Sequence, residues 1–170
     1  MSRNAKKVHP FALASFLTRV IGIAVAIPVI MQTTVVSALP AELAQKLANL
    51  KQSQQRWLEV DLSEQTLTAW QGGTKNYTTI VSTGKPDTPT HTGIFTIQRK
   101  LPQDRMRGED YNLPNVPHVM YYHRGYAIHG AYWHHQFGTP VSHGCVNLPL
   151  PAAEEIYEWI PMKTPVVIHE

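Results

Sequence analysis

The chain has 170 residues, 43% apolar and 16% charged. That is one domain's length, with enough apolar material for a core and too much for wholesale disorder. A single cysteine excludes an intramolecular disulfide framework and any site that needs two thiolates from one chain. The net charge of +3 does not mark a nucleic-acid partner. Arg3, Lys6, Lys7 and Arg19 stand in residues 1–38 with no acid among them, and beyond them 11 basic residues face 12 acidic ones, a net of −1.

The first element is an export segment over residues 1–38. A positive start (Arg3, Lys6, Lys7) precedes an apolar run from Val20 to Met31, and Val36-Ser37-Ala38 offers a small-residue cleavage site. A retained membrane anchor is the alternative, because the uncharged stretch is about 20 residues long; either way the folded part faces the outside of the cytoplasmic membrane. Residues 39–55 form a helical or flexible lead-in, with Leu43, Leu47 and Leu50 at three- and four-residue steps. Residues 56–170 form the functional domain.

Within that domain the hydrophobic period changes to two. Trp57 to Leu62 reads as a strand, then Thr66 to Gln71, Asn76 to Ser82 and Gly93 to Arg99. Leu101 to Pro117 holds three prolines and mixed charges, so it reads as a long loop, a candidate lid. His118 to Tyr122 and Tyr126 to His129 make a hairpin around Arg124-Gly125. Pro151 to Ile160 is the clearest helix, opened by Pro151 and ended by Pro161, and Thr164 to His169 is a last strand. The fold class is mainly β with one or two short helices.

The chemistry concentrates in Ser142-His143-Gly144-Cys145-Val146-Asn147 and, sixteen residues before the cysteine, in Ile128-His129-Gly130. A thiol needs an imidazole within reach to take its proton before it can attack a carbonyl. His129 ends a strand and Cys145 follows a loop, so the two can meet across the fold. Gly144 permits close backbone approach, and amides near Cys145 could face an oxyanion. A zinc site from His129, His134, His135, His143 and Cys145 is the second reading, although the set lacks the paired spacing of common zinc sites. A buried structural cysteine is the third.

These segments resemble the signature of the L,D-transpeptidase catalytic domain family of the YkuD type. The resemblance runs from about Arg56 to His169 and extends to Leu58-Glu59-Val60-Asp61-Leu62, Val81-Ser82-Thr83-Gly84 and Thr88-Pro89-Thr90-His91-Thr92-Gly93. It implies a β-sandwich-like domain acting on peptidoglycan stem peptides, with no cofactor and no metal. Cys145 would be the nucleophile, forming an acyl-enzyme, and His129 the proton acceptor and donor, oriented by the Gly130 carbonyl. His143 would shape the site, and the Gly144 and Cys145 amides would hold the oxyanion. Tyr122, Trp133 and Asn147 are candidate substrate contacts; Asn147 stands where many members carry Arg. The resemblance further implies acylation by carbapenems and a periplasmic or extracytoplasmic location. An L,D-carboxypeptidase using the same residues and a wall-binding module without catalysis are the alternatives.

Overall fold

The computed structural model describes residues 41–170; the export segment expected over residues 1–38 lies outside them. Among the described residues no helix is long and apolar enough to cross a membrane. The chain runs α1 (Ala41–Gln52), β1 (Arg56–Asp61), β2 (Thr66–Gln71), β3 (Thr74–Ile80), β4 (Gly93–Thr96), β5 (Arg99–Arg107), β6 (Asn112–His123), β7 (Tyr126–Gly130), β8 (Val146–Leu148), α2 (Leu150–Trp159) and β9 (Pro165–His169).

The strands form two sheets. One has the order β3-β2-β1-β9-β4 and the other β5-β6-β7-β8. Their inner faces share one core. Leu58 and Val60 of β1, Val166 and Ile168 of β9, Met120 and Tyr122 of β6, Ile128 of β7 and Val146 and Leu148 of β8 are all buried in it. Helix α2 closes one side with Ala152, Ala153 and Ile156. The alternation expected for a half-covered strand fails at Trp57, which is also buried. The reason is α1: Leu43, Leu47 and Leu50 lie on the outer face of the first sheet against Trp57 and Val167. Both faces of β1 are therefore covered, and Trp57 stacks on Trp70 at 5.5 Å beneath the helix.

The loop expected over Leu101–Pro117 is instead most of a hairpin built from β5 and β6. Its prolines are absorbed by irregularities in pairing. The register shifts between Asp104 and Met106, opposite Pro114 and Asn115, and Asn115 and His118 take left-handed φ values of 51° and 54°. β7 pairs only with Met120, Tyr121 and His123 of β6, so the outer half of this hairpin is a two-stranded arm. Its Met106 and Val116 are buried against Val119 and Ala127, with Trp133 alongside. The expected fourth strand also divides. It stops at Thr96, and Arg99 opens β5 in the other sheet.

Candidate active site

The parallel pairing of β7 with β8 sets the geometry. Ile128 is opposite Val146 and His129 is opposite Asn147. Because side chains alternate, Ile128 and Val146 point into the core while His129 and Asn147 share the other face. Cys145, one residue before β8, lies on that same face, diagonal to His129, at a separation that longer side chains bridge. His129, Cys145 and Asn147 line one cavity of about 240 Å³, with Trp133, His143 and, from the β5–β6 arm, Met106, Tyr111 and Leu113.

The turn carrying Cys145 is held from within. Ser142 Oγ donates to the Cys145 carbonyl at 2.6 Å and accepts from the Gly144 amide at 3.1 Å. Gly144 has φ of 106°, and a Cβ there would stand 2.5 Å from the Tyr126 ring, so only glycine fits. The loop after β3 latches the turn from outside. Thr90 Oγ1 donates to the Gly144 carbonyl at 3.0 Å, Thr88 Oγ1 to the Ser142 carbonyl at 3.1 Å, and the Lys85 amide to the same carbonyl at 3.0 Å. Sequence reasoning assigned these threonines no role. The signal was present in their segment, but hydrogen-bond partners 54 residues away leave no trace in local spacing.

One expectation is corrected here. The Gly144 amide is engaged by Ser142 Oγ and does not face the cleft as an oxyanion donor. That leaves the Cys145 amide as the donor of the pair with no partner in the turn.

His129 is 2% exposed. Its Nδ1 lies 3.1 Å from the Gly130 carbonyl, and a carbonyl can only accept, so the ring proton is on Nδ1 and Nε2 keeps its lone pair. Burial pushes the His129 pKa down to about 4, against the opposing hydrogen bond to Gly130. Burial also pushes the Cys145 thiol up to about 11, against a hydrogen bond from the Ala127 backbone. The resting pair is thus a neutral imidazole and a neutral thiol, rather than an imidazolium favouring a thiolate. A nucleophilic attack by this thiol would require its proton to move in the same step.

Asn147 is 3% exposed. Its Nδ2 stands 2.9 Å from His134 Nε2, while its Oδ1 is buried without a partner. The Gln136 amide donates to His134 Nδ1 at 3.1 Å, and a neutral ring accepts at only one nitrogen. His134 is held below the ordinary imidazole range by burial, then by His135, so its ring is neutral with the proton on Nε2. The Asn147 amide must turn its oxygen to that proton, which leaves its NH2 group buried without a partner, on the strand face it shares with His129.

His143 ties the β5–β6 arm to the site. Its Nε2 is 3.1 Å from Asp110 Oδ2, its ring packs on Tyr111 at 4.9 Å, and the hydrogen bond it donates holds the Asp110 carboxyl below the usual range. Trp133 packs on His129 at 5.7 Å. Tyr122 does not reach the cleft: it is wholly buried in the main core against Phe95 at 5.3 Å, which corrects its reading as a substrate contact. His135 is exposed. Among the described residues, no three His, Cys, Asp or Glu side chains gather as a metal site.

With this geometry in hand, three comparisons bear on the chain. The family model described as "YkuD: L,D-transpeptidase catalytic domain" matches residues 55–168. A Bacillus subtilis (strain 168) protein named "Putative L,D-transpeptidase YciB" is 28% identical, over 66% of this chain and 64% of that protein. A solved L,D-transpeptidase from Mycobacterium smegmatis is 28% identical with a TM-score of 0.64, covering 68% of this chain and 59% of that one. The catalytic domain of the E. faecium L,D-transpeptidase, solved by NMR, is also 28% identical with a TM-score of 0.62, over 68% of this chain and 98% of that domain. The chain thus spans less than two thirds of the curated relative and of the mycobacterial protein, but nearly all of an isolated catalytic domain. A family match over two thirds of the chain, on the same two-sheet fold, leaves one assignment: this chain belongs to the YkuD family of L,D-transpeptidase catalytic domains.

Proposed function

We propose that this chain is an exported cysteine L,D-transpeptidase that forms or remodels cross-links between peptidoglycan stem peptides. The observation that carries the reading is the one-faced array of His129, Cys145 and Asn147 in the cavity, with the free Nε2 of His129 fixed by the Nδ1 contact to Gly130.

Cys145 Sγ attacks the carbonyl of the residue before the terminal D-residue as His129 Nε2 takes the thiol proton. The Sγ–carbon bond forms, the carbon–nitrogen bond breaks, and His129 returns the proton to the leaving amine. An acceptor amine then attacks the thioester carbon and gives its proton to His129; the new carbon–nitrogen bond forms, the Sγ–carbon bond breaks, and His129 returns the proton to the released Sγ. The Cys145 amide supports the oxyanion, a contribution worth about 3–4 kcal/mol of barrier in comparable sites. Met106, Leu113 and Trp133 keep the cavity largely apolar, which favours an amine acceptor over water. The export segment read over residues 1–38, whether cleaved or retained as an anchor, supports a site for this chemistry outside the cytoplasmic membrane.

The test is incubation with a purified tetrapeptide stem, with and without an amine acceptor, followed by mass analysis. Cross-linked product in the presence of acceptor is expected, with a carbapenem adduct on Cys145 and none in Cys145→Ala. Tripeptide alone under both conditions would make the enzyme an L,D-carboxypeptidase. No turnover would leave a wall-binding module.

A further inference from the structure

A second cavity, of about 490 Å³, also opens on Cys145, and four arginines line it: Arg99, Arg105, Arg107 and Arg124. They come from two places, β5 and the β6–β7 turn. They are four of the eleven basic residues in a described region whose net charge is −1, so the clustering is not a by-product of a basic surface. No carboxylate lines the groove. Asp104, the nearest acid in sequence, is engaged by Arg99 at 3.7 Å and by the Tyr121 hydroxyl at 2.8 Å. Arg105 donates from Nε to Asn112 at 2.8 Å, a neutral partner. Arg105, Arg107 and Arg124 have no ion pair among the described residues. Like charges gathered in one concavity repel one another unless an anion joins them, and guanidinium forks fit carboxylates in particular.

The two cavities share Cys145, Met106 and Tyr111, and nothing else. His129 lines only the first and the arginines only the second. This division has a mechanistic meaning that rests on the acyl-transfer reading above. The group that protonates the leaving amine is the one that deprotonates the incoming amine, so both amines occupy the His129 side in turn. The acyl chain that stays on Sγ between the two events must extend the other way.

We infer that the arginine-lined groove is the subsite of the acyl donor, and that it holds the donor peptide through free carboxylates upstream of the attacked carbonyl. The acceptor makes no use of these arginines.

The experiment uses two donor stems that differ only in whether the upstream carboxylate is free or amidated, and two acceptors that differ likewise. Acyl-enzyme formation on Cys145 is followed by intact-protein mass, and cross-linking by chromatography. Amidating the donor is expected to lower its kcat/KM roughly 10- to 100-fold in the wild type, the loss of one or two charge-assisted contacts. In the Arg105→Gln/Arg107→Gln/Arg124→Gln variant the acid and amide donors should react at similar, reduced rates. Amidating the acceptor should change little in either protein. A wild type indifferent to donor amidation, or one sensitive only to acceptor amidation, overturns the inference. Binding of the tripeptide acid to the Cys145→Ala protein, measured by calorimetry with and without the three arginine substitutions, separates the two levels of the argument. Carboxylate-dependent binding in a protein whose wild type turns over no stem overturns the acyl-transfer reading and the donor assignment with it. Turnover with no carboxylate dependence in rate or binding overturns the donor assignment alone.

Discussion

At the scale of single residues, the site works by withholding charge. Burial holds Cys145 protonated up to about pH 11 and His129 neutral down to about pH 4. The thiol should therefore alkylate slowly with iodoacetamide at pH 7, and its rate should climb about tenfold per pH unit up to pH 10, as expected below a thiol pKa. A plateau starting near pH 7 would mean a preformed thiolate. That Cys145 and His129 would meet in one cavity was legible in the sequence because a lone thiol in a Gly-containing polar turn, with a histidine ending an upstream strand, is a pattern of residue types. The state of the Gly144 amide was not legible, since it depends on where Ser142 Oγ turns. Tyr122 was misplaced for a related reason. Tyr121 and Tyr122 are neighbours on β6 and look alike in sequence, but strand alternation sends Tyr121 to the arginine groove and Tyr122 into the core.

At the scale of elements, the β5–β6 arm is the part of the fold that departs most from the sequence reading and lies closest to the chemistry. Prolines at 102, 114 and 117 argue against regular strands, and the structure answers with a register shift and two left-handed residues. β8 escaped notice for a simpler reason: at three residues it is too short to show a period. By contrast β1, β2 and α2 were readable from alternation, spacing and flanking prolines, to within a residue or so at either end. The arm roofs both cavities through Met106 and Tyr111, and its tip is tied down by Asp110 to His143. Asp110→Ala should release it. Amide exchange across residues 105–113 should quicken by about 3- to 10-fold, the opening expected when one exposed hydrogen bond is lost. Exchange in β1 and β9 should stay as it was. Unchanged protection in the arm would show that apolar contacts alone hold the roof.

At the scale of the whole molecule, the folded unit is larger than its two sheets. Leu50, on the inner face of α1, is 2% exposed and helps cover a sheet face that would otherwise leave Trp57 and Val167 open to water. Leu50→Ala should cost about 2–4 kcal/mol in urea unfolding, the usual range for a leucine truncated in a packed interior. A change under about 0.5 kcal/mol would reduce α1 to an appendage, since surface substitutions fall within that range. The helix was visible in the leucine spacing. Its role as a cover was not, because the sequence read β1 as half-buried, and the second layer shows only in the burial of Trp57 on the strand's other face.

The buried thiol has one more consequence, for the protein's durability. It is the thiolate that attacks peroxides and disulfides, and burial keeps Cys145 in its protonated form at pH 7. At the extracytoplasmic location proposed above no cytosolic reducing pool would restore an oxidised Cys145, and the chain has no second cysteine to shelter a sulfenic acid as an internal disulfide. Under the proposed mechanism, a cysteine that ionises only when a substrate carbonyl is in place is also one that ambient oxidants rarely catch, so the desolvation that tunes that reaction also protects the thiol between turnovers.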